Sequence, residues 1–547
     1  MYRQKRYDAC IKEVKSKLKK FPTSLHLLNY QAMAYSALKK DREALESYQN
    51  IIKKDPSLAG PYYNSGIILK RNGRLEEAID NYKKAISLKP DYVQAFNNLG
   101  VLYKDNKKYD DAIKMFMRAR EIQPDHQNSY YNLGLIKKEQ GLSEEAIDLF
   151  LKVLKLNPEH TEAKYNMSLL RKDKGLLEEA KRYLEEILIS DQKHENAAKE
   201  LAVVFGEMGN FKSAISRLKK LISNNPENRF LFHGLGLCLL TIGEFKEGWR
   251  AIEIRWEKEN KKISAWFKRA KETWIGKKTK KSVILYTSRQ GIGEDIIFLS
   301  LVPEVQEMCS SLSVYVDPRL HSLCRRAMPE INFVKDMEEL KEVESDYHLP
   351  LGSVPGLIRN DISDFDRTVT GYLKADPKRV EAIREELGLE GKIVIGVSWR
   401  SFNTTYKTKS IQLRDMGRLF KGLDVVLVNL QYGDVEDEIR EFRKETGIDV
   451  LQCASVDNRE DLDGLAALIE VCDIVVSITN VTVHMAGALA KETWVLLPFS
   501  TIYYWLLERT DSVWYPTLKL YRQPTLDDWD SVYASLRKDL QRKLTNK

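Results

Sequence analysis

Small, aromatic and proline positions return every 34 residues through the first half of the chain. Ala44, Ala78, Ala112, Ala146, Ala180 and Ala214 keep this step, with Gly248 after them. Ala32, Gly66, Gly100, Gly134, Ser168, Ala202 and Gly236 form a second column, and Tyr48, Tyr82, Phe116 and Phe150 a third. Pro56, Pro90, Pro124 and Pro158 form a fourth, and Pro226 falls two periods later. The pattern predicts two helices per period. Small residues mark where the helices cross closely, aromatics fill the gap between neighbouring hairpins, and proline ends the second helix. The array is expected over residues 1–256, in about seven units. Gln192 stands where proline is expected, and the last unit degenerates after Gly248. Residues 7–22 fit only a second helix, so the array is expected to enter mid-repeat, completed by a cap or by upstream residues.

From Ser282 the pattern changes to short apolar runs separated by helical stretches. Val283–Tyr286, Ser313–Val316 and Ile331–Val334 read as buried strands. A second set holds 393–399, 424–431, 473–477 and 493–497. Strands alternating with helices predict parallel sheets, here in two α/β lobes over 282–390 and 391–547 with a cleft between them. Residues 257–281, charged and ending in the basic run Lys277–Lys281, read as a connecting segment. The fold class is therefore α followed by α/β.

The 34-residue step and its in-phase columns resemble the tetratricopeptide repeat (TPR), whose superhelix binds extended chains on its concave face. Asn64, Asn98, Asn132 and Asn166 recur at one phase of the first helix. An amide both donates and accepts, so such a row can grip a peptide backbone at even intervals. The row resembles the asparagine ladder of O-GlcNAc transferase, which has the same layout of repeats and catalytic region. Asparagine is also common at this place in such repeats, and that plainer reading stays open.

Composition narrows the function classes. A chain of 547 residues with 43% hydrophobic and 30% charged residues suits several globular domains. A net charge of +8 fits phosphate-bearing ligands, and no aromatic-basic nucleic-acid motif accompanies it. Cys10, Cys238, Cys309, Cys324, Cys453 and Cys472 show no Cys-x-x-Cys spacing, which argues against zinc or a disulfide framework. With a polar start and no long apolar run, a cytoplasmic protein without signal peptide or transmembrane segment is expected.

Four stretches carry candidate chemistry. Strand 473–477 leads through Thr479-Asn480 into a helix over 481–490, and a helix start at the carboxyl edge of a parallel sheet favours an anion. Asn480, Thr482, Val483 and His484 lie there, and a pyrophosphate is the expected ligand; an ordinary strand–helix–strand unit with a packed histidine is the alternative. Gly291-Ile-Gly293 follows a strand and opens a helix without completing a dinucleotide fingerprint. Glu294 and Asp295 at that helix start are either capping acids or a general base. Arg400, Lys407 and Lys409 share one loop with Asn403 after the first strand of the second lobe, where cations can neutralise a leaving diphosphate without metal. Asp-x-Asp triplets occur at 364–366, 461–463 and 528–530; the second reads as a helix start and the third as a cap, so no metal is expected.

The second half resembles bacterial glycosyltransferases that join tetratricopeptide repeats to a heptosyltransferase-like region. The matching runs include 290–293, 317–320, 396–400, 409–411, 429–434, 461–469, 480–489, 494–498 and 514–516. The resemblance implies the GT-B fold, in which two Rossmann-like lobes hold a nucleotide sugar mostly through the second, and a closing helix packs back across both. It implies a hexosyl- or GlcNAc-type transfer, metal-independent, from a nucleotide diphosphate sugar to a protein hydroxyl, with flagellin or another surface protein as acceptor and no cofactor beyond the donor. Glu294 or Asp295 would be the base. Arg400, Asn403, Lys407, Lys409, Gln431, Tyr432, Asn480, Thr482, Val483 and His484 would hold the donor, with Gly291 and Gly293 shaping the first-lobe turn. Asn64, Asn98, Asn132 and Asn166 would hold the acceptor. Two positions depart from the family pattern: Glu294 stands for its aspartate, and Thr479-Asn480 for Asp-Asn or Asp-Thr. The rival readings are a repeat scaffold with a decayed transferase, and a transferase acting on a lipid-linked glycan.

Overall fold

A computed structural model describes residues 6–254, 272–287, 291–367, 369–401, 410–500 and 502–545. The chain divides into two compact units, Met1–Ile187 and Leu188–Lys547.

The first unit is all helical. Helices Leu25–Ala37 and Asp41–Lys54, Ala59–Arg71 and Leu75–Leu88, Val93–Asp105 and Tyr109–Ile122, and Gln127–Glu139 and Ser143–Leu156 pair as hairpins. Tyr7–Lys20 packs on Leu25–Ala37 as the sequence suggests. The glycine column exists because of the aromatic one. A Cβ added at Gly66, Gly100 or Gly134 would lie 2.7 Å from the ring of Tyr82, Phe116 or Phe150. Each aromatic thus lies against the glycine of its own hairpin, and it also clusters with the next one, Tyr82 with Leu99, Phe116 with Leu133 and Phe150 with Met167, as the periodicity suggests. Pro56, Pro90 and Pro124 follow helices that end at Lys54, Leu88 and Ile122, where the missing N–H costs nothing.

Each hairpin turns through a left-handed residue. Gly73, Gly141 and Gly175 fill it at φ near 75°, but Lys39 and Lys107 fill it at 57° and 58°. A side chain there crowds the following carbonyl. Lys107→Gly is therefore expected to stabilise the protein by about 0.5 kcal/mol, after the added freedom of the unfolded chain is subtracted. Urea melts of the two proteins check this; an unchanged or lowered midpoint would contradict it.

The second unit begins with helices Glu195–Glu207, Phe211–Asn224, Arg229–Thr241 and Phe245–Glu253. The turn at Gln192 forms without proline, because Asp191 accepts the N–H of Lys193 at 3.0 Å. These helices share a core with the α/β region of the same unit: Trp249 Nε1 donates to the Arg359 carbonyl at 2.8 Å, and Phe245 lies 4.9 Å from Phe365.

Two parallel sheets come next. The first holds β1 (Glu272–Thr273), β2 (Ser282–Tyr286), β3 (Ser311–Tyr315), β4 (Asn332–Phe333) and β5 (Tyr347–Pro350), in the order β1-β5-β2-β3-β4. The stretch read as a linker thus adds an edge strand, while residues 257–271 lie outside the described residues. The second holds β6 (Val394–Ser398), β7 (Val426–Asn429), β8 (Val450–Leu451), β9 (Ile474–Ile478), β10 (Thr493–Leu497) and β11 (Leu518–Arg522), in the order β11-β10-β9-β6-β7-β8. All pairs within both sheets are parallel. Read from β8, the second order is that of a doubly wound sheet, with its switch point between β6 and β9. The first sheet switches between β2 and β5.

The closing helix Trp529–Thr545 does not cross both lobes as the resemblance led one to expect. Val532, Tyr533, Leu536 and Leu540 enter the second-lobe core, and Arg537 donates to the Arg418 and Lys421 carbonyls. No described helix is long and apolar enough to cross a membrane.

Candidate functional site

The two switch points bring the predicted stretches together. Beyond β2, Gly291 adopts φ 154° and its carbonyl accepts the N–H groups of Glu294 and Asp295. Gly293 then meets the second lobe, where a Cβ on it would lie 3.0 Å from His484 Cδ2. Gly293 therefore serves close approach of helices Ile292–Leu299 and Val481–Ala488. Tyr372 and Leu373, in the stretch between the two sheets, tie down both helices: the Tyr372 hydroxyl donates to the Ile296 carbonyl at 2.8 Å, and Leu373 N–H to the Ala488 carbonyl at 3.1 Å.

Asp295 is buried at 5% exposure. Burial pushes its carboxyl up to about 7, helped by Asp317 and Glu294, while the Thr287 hydroxyl, 2.7 Å from Oδ1, pulls the other way. A carboxyl poised near neutrality can take a proton from a hydroxyl. Glu294 accepts the Tyr504 hydroxyl at 2.6 Å. Asp317 is held below the usual range; burial opposes this, but Arg319 outweighs it through its side chain and its N–H.

His484 sits in an aromatic box. Its Nδ1 is 3.1 Å from the Tyr515 hydroxyl, its ring stacks on Trp505 at 5.6 Å, and Tyr504 stands edge-on at 5.5 Å. The small residues after it serve this box. A Cβ on Gly487 would lie 2.4 Å from Tyr515 Cδ1, so the glycine lets the Tyr515 ring lie directly on the helix. Tyr504 and Trp505 went unnoticed in the sequence. The aromatic run Tyr503-Tyr504-Trp505 beyond β10 was the available signal, but its distance in sequence from His484 hid the contact.

The remaining donor candidates divide into two groups. Asn480 caps its helix, accepting the Val483 N–H at 3.4 Å, and donates to Ser398 Oγ at 2.7 Å across the switch point. Thr479 accepts the Trp505 indole N–H at 3.0 Å. Gln431 Oε1 accepts the N–H groups of Trp399 and Arg400 at 3.0 and 2.8 Å, which fixes the start of the cation loop. Arg400 pairs with Glu438 and donates to the Asp434 carbonyl, and Tyr432 is half-buried beside Gln431. Thr482 and Val483 face inward, with the Thr482 hydroxyl donating to the Leu430 carbonyl at 3.3 Å. Asn403, Lys407 and Lys409 lie outside the described residues.

The acidic triplets are engaged locally. Asp461 caps Leu462–Glu470 and pairs with Arg379, Asp463 pairs with Arg326, Asp364 accepts two backbone N–H groups, and Asp528 accepts from Ser531. Among the described residues, no group of three or more His, Cys, Asp or Glu is gathered to hold a metal ion.

In the first unit the asparagines do form a row along successive first helices. Asn98 donates to the Tyr63 hydroxyl at 3.2 Å, Asn132 to Asn97 Oδ1 at 3.3 Å and Asn166 to the Tyr131 hydroxyl at 3.4 Å. Each bond reaches 35 residues back, into the preceding repeat. Asn64 continues the phase and is half-buried.

Residues 30–57, 68–107 and 91–159 match family models described as tetratricopeptide repeat. Protein FlbA of Caulobacter vibrioides is 27% identical over 314 residues, which cover 53% of this chain and 52% of that protein. The chain thus spans about half the length of the curated relative it matches. The crystal structure of MamA is similar at 29% identity over 29% of this chain and 92% of that chain, with a TM-score of 0.27. YrrB, described as a TPR protein with an unusual peptide-binding site, is similar at 22% identity over 34% of this chain and 95% of that chain, with a TM-score of 0.29. The helical half of this chain is a tetratricopeptide-repeat array.

Proposed function

We propose that the chain is a metal-independent glycosyltransferase of GT-B architecture. It would move a sugar from a nucleotide diphosphate sugar to a hydroxyl of a protein segment held by the repeats, with flagellin or another surface protein as the acceptor class. The observation that carries the reading is the close approach of two helix starts beyond two parallel sheets: Gly293, next to Glu294 and Asp295, faces His484, and Tyr504 touches both Glu294 and His484. Asp295 takes the acceptor proton, the freed oxygen attacks the anomeric carbon, and the sugar–diphosphate bond breaks. Charge gathers on the departing diphosphate. The start of helix Val481–Ala488, His484 and Arg400 answer it, together with Asn403, Lys407 and Lys409 of the same loop. Gln431 and Tyr432 flank the nucleotide side.

His484 tests the donor site. If its ring donates to the diphosphate, His484→Ala weakens nucleotide binding by roughly 1.5–3 kcal/mol, the worth of a bond to a charged group. His484→Gln recovers part of that loss. Calorimetric titration with nucleoside diphosphates, alongside melting points of both variants, separates this from packing alone. A lowered melting point with unchanged affinity would retire the role given to this histidine.

A further inference from the structure

Two costs meet where the aromatic segment turns back towards the second sheet. Leu506 follows the turn Tyr503–Trp505 with φ 46° and ψ 178°, a region open to glycine and strained for leucine. Its side chain is buried in the core that holds Trp505. The second cost is Arg522, at the end of β11. Its Nη2 donates to the Leu506 carbonyl at 2.6 Å and to the Trp505 carbonyl at 3.3 Å. Nε and Nη1 are closed off from solvent and bond to nothing among the described residues. Burial alone pulls the guanidinium down to about 10, with no carboxylate to offset it, so it stays charged at neutral pH. A buried charge without a counter-charge lowers stability. Both costs fall on the segment that closes the candidate site, where Tyr504 bonds Glu294 and Trp505 stacks on His484 and bonds Thr479.

We infer that Arg522 is a positioning residue of this site. By gripping two successive carbonyls it holds Leu506 in its strained turn, and that turn keeps Tyr504 against Glu294 and Trp505 against His484. Without the grip, Leu506 relaxes towards negative φ and the two rings leave the site. The consequence for ligand binding rests on the reading that His484 meets the diphosphate; the hold on the segment does not.

Arg522→Gln strands no carboxylate, so the rest of the fold should survive. Hydrogen exchange of the full chain, read by mass spectrometry, should speed up about tenfold in peptides spanning 499–510. Peptides from β9 and helix Leu462–Glu470 should keep their protection. In calorimetric titrations, whichever of UDP, GDP, ADP and dTDP binds the unaltered chain should bind Arg522→Gln about tenfold more weakly. Adding Leu506→Gly to Arg522→Gln should restore much of both, because glycine adopts a positive φ without a grip. Arg522→Lys, a cation able to meet one carbonyl, should fall between, and it serves where the glycine variant does not fold. Unchanged exchange over 499–510 in Arg522→Gln overturns the inference, as does exchange that rises equally in β9 and helix Leu462–Glu470. A folded double variant that exchanges as fast as the single one overturns it too. Faster exchange over 499–510 with unchanged nucleotide affinity also overturns it, by separating the segment from the ligand. If none of the four nucleotides binds the unaltered chain, the donor reading falls instead, and the exchange of the variants alone decides whether Arg522 holds the segment.

Discussion

Asp295→Asn is expected to lower sugar transfer by a factor on the order of a thousand, within the range for losing a general base. Nucleotide binding should stay unchanged, because the carboxyl sits on the first lobe. In the unaltered protein the rate should rise with pH through about 7, since only the ionised carboxyl accepts a proton. The same burial gives a stability signature of the opposite sense. The ordinary aspartate value is 3.8, so in the unfolded chain the group ionises well below 7. Below that ordinary value the group is neutral in both states and costs nothing. As pH rises from there towards 7, ionisation favours the unfolded chain progressively, and above 7 the penalty is constant. Asn cannot ionise, so the variant should gain stability over the unaltered protein, and the gain should be larger at pH 8 than at pH 5. A variant that is less stable at pH 8 and still active would remove Asp295 from the mechanism.

Gly487→Ala is expected to cost about 2–3 kcal/mol of stability and to weaken nucleotide binding as well. The added methyl meets the Tyr515 ring, whose hydroxyl holds His484. Neither the ring nor the helix has room to give, since both are buried, and overpacking of a filled core costs in this range. Gly388→Ala gives a comparison of another kind: it lies at a positive φ with nothing within 4 Å, so only backbone strain acts there and nucleotide affinity should be untouched. Denaturant melts and nucleotide titrations on both variants check the pair. A Gly487→Ala protein as stable as its parent would mean that Tyr515 is free to move, and that the box around His484 is looser than described.

The sequence exposed the array and both sheets for a clear reason. A 34-residue step repeats the same packing problem, and buried strands between helices leave continuous apolar runs. It also marked Gly293, Asp295 and His484, because turns after strands constrain residue types. It could not reveal that Gly293 faces His484, nor that Tyr504 and Trp505 close the site from beyond β10. Gly293 lies 191 positions before His484 and Glu294 lies 210 before Tyr504, and no local period encodes such contacts. It equally could not say whether Asn480 grips a ligand or caps its own helix; the fold gives it the cap and the bond to Ser398. The aromatic column reads from its spacing as filling the gap between hairpins, and Tyr82, Phe116 and Phe150 do cluster with Leu99, Leu133 and Met167 of the next hairpin; their close contact with the glycine of their own hairpin has no separate period.

Release of nucleoside diphosphate decides whether the chain transfers sugar. The full chain, with a Ser- and Thr-containing acceptor protein and a chelator present, would be given UDP-, GDP-, ADP- and dTDP-linked sugars in turn. At least one donor should yield free nucleoside diphosphate together with an acceptor heavier by one sugar, and Asp295→Asn should yield neither. Tight binding of a donor with no release under any of these conditions, or release that continues in Asp295→Asn, would contradict the proposed transfer.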